Sequence, residues 1–150
     1  MMKKIAALAV SVVIAAGVVG DAPRLHAAPV ERVAAGTVKV TVNYKGSGPV
    51  DDRHRVWVWL FESPDIGSES MPLAEMSVAK NGETATFEVG NERVWVAVAY
   101  DEKGEMTGNQ PPPSGSPIGI YGGNPATPEA VVPGPKGAVT MTFDDSQRMP

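Results

Sequence analysis

The sequence predicts an all-β domain, a single antiparallel β-sandwich of about seven strands. Three observations carry this. Several segments alternate apolar and polar residues with the two-residue period of a half-buried strand. Clusters of glycine, asparagine and proline separate those segments. Beyond an N-terminal apolar run, no window keeps the period of an amphipathic helix. Short strands punctuated by turns are the pattern of a sandwich.

The chain opens with an export signal at residues 1–27. Lys3 and Lys4 precede residues 5–20, an uncharged run of 16 residues. A spanning helix needs about 20 apolar residues, and this run is shorter and starts almost at the N-terminus. Residues 21–27 turn polar and end on Ala27, which sets the expected cleavage site after Ala27. The destination is the periplasm or the outside of the cell, and no later segment is apolar enough to span a membrane once the signal is cleaved. Residues 28–36 read as a flexible lead-in.

Residues 37–44 alternate strictly, with Val38, Val40, Val42 and Tyr44 on one face. Residues 45–52, Gly- and Pro-rich with Asp51-Asp52, form a turn. Residues 54–61 give a second strand, with Val56, Val58 and Leu60 inward and Trp57, Trp59 and Phe61 outward. A polar loop over residues 62–72 leads to a weaker strand at 73–79. Asn81-Gly82 is a hairpin signal, because both residues tolerate positive φ. Strands at 83–89 and 93–100 follow, with Ala85, Phe87 and Val89 and then Val94, Val96, Val98 and Tyr100 inward. The last clear strand is 138–143. Between it and Tyr100 lies a proline- and glycine-rich segment, residues 103–137. Structureless loops that long are uncommon in compact domains. Its Ile118, Ile120, Tyr121, Val131 and Val132 predict that it packs on the sandwich, with a short seventh strand at 118–121. Residues 146–150 are a tail.

Composition excludes several chemistries. There is no cysteine, so disulfides, thiolate metal sites and cysteine nucleophiles are out. Removing residues 1–27 takes away Lys3, Lys4, Arg24 and Asp21, leaving 10 basic and 16 acidic residues, a net −6. An acidic domain has no general electrostatic drive toward nucleic acid. His26 goes with the signal, so His54 is the one histidine left, and a two-histidine metal site cannot form within the chain. No Gly-x-Ser-x-Gly nucleophile motif is present. Asp51-Asp52 and Asp144-Asp145 are sequence neighbours, which a strand points to opposite faces.

The order of features has a family likeness. A strand ends in Leu60-Phe61-Glu62 and meets a Pro-bearing loop. Val96-Ala97-Val98-Ala99-Tyr100-Asp101-Glu102-Lys103-Gly104 then runs into Gly115-Ser116-Pro117-Ile118-Gly119-Ile120-Tyr121, and a final strand closes the domain. Over residues 37–143 this resembles the transthyretin-like, or carboxypeptidase regulatory-like, seven-stranded sandwich. It is most similar to an uncharacterised family of small exported bacterial proteins. The resemblance implies a fold and an export route. The chain departs from the family's turn at Lys103 and Glu105, where members carry Asn, and at Tyr100, where members often carry His. The enzyme known among transthyretin-like proteins uses several histidines and a C-terminal Tyr-Arg-Gly-Ser, and neither is found here.

Two candidate sites result. Asp101, Glu102 and Glu105 lie on a tight glycine turn and offer three carboxylates, the oxygen donors calcium takes, although Lys103 sets an ammonium among them. No other cofactor is implied. Trp57, Trp59 and Trp95, flanked by Arg55 and Arg93, share the outward face of two strands. Exposed indoles beside arginines stack on sugar rings or partner side chains, unless the 103–137 segment folds over them. The leading expectation is an exported, non-enzymatic structural or protein-binding accessory of the cell envelope. A glycan-binding module using the three tryptophans is the alternative, and an uncharacterised hydrolase a further one. The partner is accordingly another envelope protein or a glycan.

Overall fold

In the computed structural model, residues 36–150 are described. The expected export signal and all of the expected lead-in except Gly36 lie outside the described residues. The alternation in β1 (Gly36–Tyr44) becomes an alternation of burial, with Val38, Val40 and Val42 fully enclosed and Lys39 in solvent. The chain continues through β2 (Val56–Phe61), β3 (Ala74–Val78), β4 (Thr84–Val89) and β5 (Val94–Tyr100). Two short strands follow, β6 (Ile118–Ile120) and β7 (Ala130–Val131), before β8 (Ala138–Phe143). No helix occurs among the described residues, so none there is long and apolar enough to cross a membrane.

The strands make two sheets. One has the order β4-β1-β8, and the other β3-β2-β5-β6, with β7 also pairing β5. Valines of β1, β2 and β5 meet Phe87, Met141, Phe143, Leu60 and Tyr100 between the layers. All-β architecture with two packed sheets is therefore as the sequence predicts. The 103–137 segment does pack on the sandwich, and β6 is the expected short strand.

Three features differ from the sequence reading. β8 lies parallel to β1, in register from Lys39 beside Ala138 to Tyr44 beside Phe143. The chain crosses back from the five-stranded sheet and enters from the end where β1 begins, so an antiparallel pairing is not available to it. Asn81-Gly82 turns the chain, but β3 and β4 belong to different sheets and do not pair. Gly82 has φ 84° while Asn81 stays at negative φ. The Asn81 side chain instead binds the end of β1, accepting from Tyr44 N at 2.8 Å and donating to Tyr44 O at 2.7 Å. The final residues are also tied down. Ile118 N donates to Gln147 O and Met149 N to Ser116 O, each at 2.9 Å, which lays the C-terminal segment along the outer edge of β6.

One end of the sandwich is pinned by Tyr44. Its ring stacks on Tyr100 with centroids 4.2 Å apart, and its hydroxyl donates to Asp145. Ser47 N and Oγ donate to the other Asp145 oxygen at 3.1 and 3.2 Å. Burial, and then the Asp145 carboxylate, push the Tyr44 phenol above its ordinary value. The same hydroxyl, helped by Ser47 N, holds the Asp145 carboxyl below the usual carboxylate range.

Candidate functional site

The two sheets treat their outer faces differently. On the three-stranded sheet the outward residues include Lys39, Thr84, Thr86, Glu88, Thr140 and Thr142, all exposed. That is an ordinary solvated face. On the five-stranded sheet, Trp57, Trp59 and Phe61 of β2 pair with Ala99, Ala97 and Trp95 of β5. Alternation along both strands puts these six on one side. Trp59, Phe61 and Ala99 are buried there in a second, smaller core with Trp57, Ala97, Ile66, Met106 and Ile118 packed around them. β2 is thus largely buried on both faces, in keeping with its unbroken run of six apolar residues, and residues brought from distant loops cover the outward side.

Gly108 is the closest part of that cover. Its carbonyl accepts the Trp59 indole N–H at 2.7 Å, and a Cβ on it would stand 2.2 Å from the Trp57 ring. With φ 85°, Gly108 also occupies the left-handed region that an L side chain seldom adopts. The indoles of Trp57 and Trp59 stack, with centroids 6.3 Å apart and planes inclined by 23°. The Trp57 indole N–H is buried with no hydrogen-bond partner. Trp59 is only 5% exposed, and Trp57 and Trp95 are half-buried. The three rings therefore do not form the open stacking platform a glycan module needs. Gly108 lies against the Trp57 ring and takes the Trp59 indole N–H.

The other expected site residues lie apart. Arg55 is held by the carbonyl of Asp52 at 3.0 Å and by Ser77 Oγ at 3.3 Å, and Arg93 is exposed at the start of β5. Asp101 is buried, and its two oxygens accept from Glu105 N at 3.0 Å and Met106 N at 2.9 Å. Glu102 pairs with Arg148 at 3.2 Å, while Glu105 is exposed. Asp101 closes its own turn with the oxygens a cation would need. Among the described residues no three metal-ligating side chains come together. His54 Nδ1 lies 3.0 Å from Asp51 Oδ1, and that oxygen also accepts from the backbone N–H of Arg53 and His54. Those backbone bonds, His54 first, hold the Asp51 carboxyl below its usual range. Asp51 and His54 thus build a turn.

What the structure adds is a cleft of about 660 Å³ over the outer face of the five-stranded sheet. Trp59, Phe61, Ala97, Ile118 and Ile120 form its floor. One wall is residues 66–75, the loop after β2 and the start of β3, and the other is residues 108–112 with Met149. Volumes of 300–1,000 Å³ with apolar linings are those of ordinary binding sites. Polar groups sit on the walls, where Ser68, Glu69, Ser70, Glu75, Asn109 and Gln110 meet solvent. Ile118 and Phe61 were visible in the sequence as strand residues. Leu73 was visible as the start of the weaker strand, while Met71 and the Pro111-Pro112 wall were visible only as loop.

Comparison with known proteins gives little beyond this. No protein-family model matches the chain, and no curated protein does. A solved structure that is similar is that of an alternative pilotin from the type II secretion system of Vibrio cholerae. It shares 16% identity, covers 73% of this chain and 96% of its own, and superposes with a TM-score of 0.41.

Proposed function

We propose that this protein is an exported, non-enzymatic binding accessory of the cell envelope. Its working surface on this reading is the cleft over Trp59 and Phe61. The observation that carries it is the cleft's construction. Two loops stand apart over an aromatic floor that a sandwich does not need, since the core between the sheets is already closed by valines. An apolar floor with polar walls recognises the apolar part of a partner. The non-enzymatic reading rests on His54 and Asp51, which cap a turn and lie outside the cleft lining. Export rests on Lys3, Lys4 and the run at residues 5–20, and the transthyretin-like affiliation on the strand order and the 101–104 turn.

The test is titration of the protein, expressed from the full chain, with the neutral apolar dye Nile red. The dye is expected to bind saturably and to brighten. Leu73→Asp, at a rim position 44% exposed, is expected to weaken it roughly tenfold, the cost of a charge on an apolar wall. Absence of dye binding, or binding indifferent to Leu73→Asp, refutes the cleft as a working surface.

A further inference from the structure

The five-stranded sheet has two edges, and the described residues close only one of them. The outer side of Ile118, where β6 begins, and of the residues just before it is taken by residues 147–149 of the C-terminal segment. At the other edge β3 pairs, among the described residues, with β2 alone. Unpaired strand edges are templates for another strand, and proteins ordinarily guard them with charges, proline or a covering loop. Here the guard is slight. Pro72 precedes the strand, and Glu75 is its one charged residue. Meanwhile the exposed large apolar residues of the described chain gather at this edge. Met71 is 87% exposed, Leu73 44% and Met76 38%, with only Val132 elsewhere. A free edge bearing that much apolar side chain is unfavourable unless something covers it.

The same edge is a wall of the cleft, since residues 71–75 line it. Glu75 stands opposite Trp59 in the ladder and Ser77 opposite Trp57. By alternation Leu73, Glu75 and Ser77 lie on the side of Trp57 and Trp59, with Leu73 and Glu75 lining the cleft, and Ala74, Met76 and Val78 lie on the other side. A strand added beside β3 would send alternate side chains over the cleft and the intervening ones against Met76. The charge of the wall selects among such strands. Residues 62–75 carry Glu62, Asp65, Glu69 and Glu75 and no basic residue, and among the described residues no Lys, Arg or His lines the cleft. Residues 106–112 on the facing wall are uncharged. Complementarity therefore asks for an apolar segment flanked by cations.

We propose that the free edge of β3 takes up an extended segment of a partner protein by strand addition, an apolar stretch flanked by lysine or arginine whose alternate side chains enter the cleft. This deepens the cleft reading and rests on it. Backbone pairing supplies affinity in such complexes, and pockets for alternate side chains supply choice.

The probe is acetyl-Lys-Val-Leu-Val-Leu-Val-Lys-amide, titrated calorimetrically and by amide chemical shifts into protein expressed from the full chain. Saturable binding is expected, with the largest shifts at residues 74–78. A peptide with glutamate at both ends is expected to bind roughly tenfold more weakly, as is the parent peptide to Glu75→Lys, which reverses one rim charge. Two further peptides carry N-methyl groups on one or the other set of alternate amides. One set points at β3 and one at solvent, so one peptide should bind like the parent and the other should not. If both N-methylated peptides bind alike or both fail, strand addition is wrong. Equal affinity for the glutamate-ended peptide, or shifts away from β3, also overturns it. No peptide binding with Nile red still in the cleft overturns the strand and leaves the cleft. Loss of both overturns both.

Discussion

Gly108→Ala tests whether the loop over the tryptophans is a fitted part of the fold. Two costs add at this position. At φ 85° an alanine adopts a left-handed conformation, which costs about 1–2 kcal/mol. Its Cβ would also stand 2.2 Å from Trp57 Cζ3 and 2.8 Å from Cε3. A ring stacked on Trp59 cannot yield freely, so overpacking adds about 1–3 kcal/mol. The sum is about 2–5 kcal/mol, and at roughly 4 °C per kcal/mol for a domain of this size the melting temperature should fall by roughly 8–20 °C. Gly123→Ala is the control. Its φ is 75° and nothing lies within 4 Å of the added Cβ, so only the backbone cost applies, about 1–2 kcal/mol. The difference between the two variants is the packing share. Acrylamide quenching reports the same event locally, because a lifted loop loses the Trp59-to-Gly108 hydrogen bond and opens the indoles. Equal melting temperatures for the two variants, with quenching unchanged, would refute the fitted cover.

Two further perturbations probe the ends of the site. Asp101→Ala strands the amides of Glu105 and Met106, and should cost about 2–3 kcal/mol by urea denaturation. Asp101→Asn keeps an acceptor and should cost less, and in the wild type millimolar calcium should not move the melting temperature, since a rise that Asp101→Asn removes would restore the metal reading. Asp145 governs acid stability. Its folded carboxyl is held low by Tyr44 and then Ser47 N, so its contribution is present above the unfolded value of about 3.9 and is lost as pH falls through the lower folded value. Asp145→Asn should therefore start less stable at neutral pH and show a flatter decline below about pH 4, and parallel curves for the two proteins would count against the Tyr44 pin.

The candidate site was legible only in part. Trp57, Trp59 and Trp95 could be assigned to one face from alternation alone, and so could the doubt about their exposure. Their covering could not, because Gly108 and Met106 lie some fifty residues away in a segment with no period to read. Asp101 is an expected calcium ligand because an acidic turn on glycine suits a cation, but the sequence does not show what its oxygens meet in the fold. Its partners are two backbone amides, and a backbone N–H carries no mark in the sequence. The cleft was invisible for the same reason. It exists because the loop after β2 and the loop before β6 stand apart, and loop separation is a tertiary quantity.

By itself the sequence determined the strands and the inner core. Val38, Val40, Val42, Val56, Val58, Leu60, Val94, Val96 and Val98 repeat every second residue, and a two-residue period has one physical use, a face turned toward an apolar layer. Tertiary structure alone decided what lies over the other face of the five-stranded sheet, which edge the described residues leave unpaired, and that β8 runs parallel to β1. Each of these depends on where a distant segment comes to rest. Local periodicity says which way a side chain points, and only the folded chain says what it meets there.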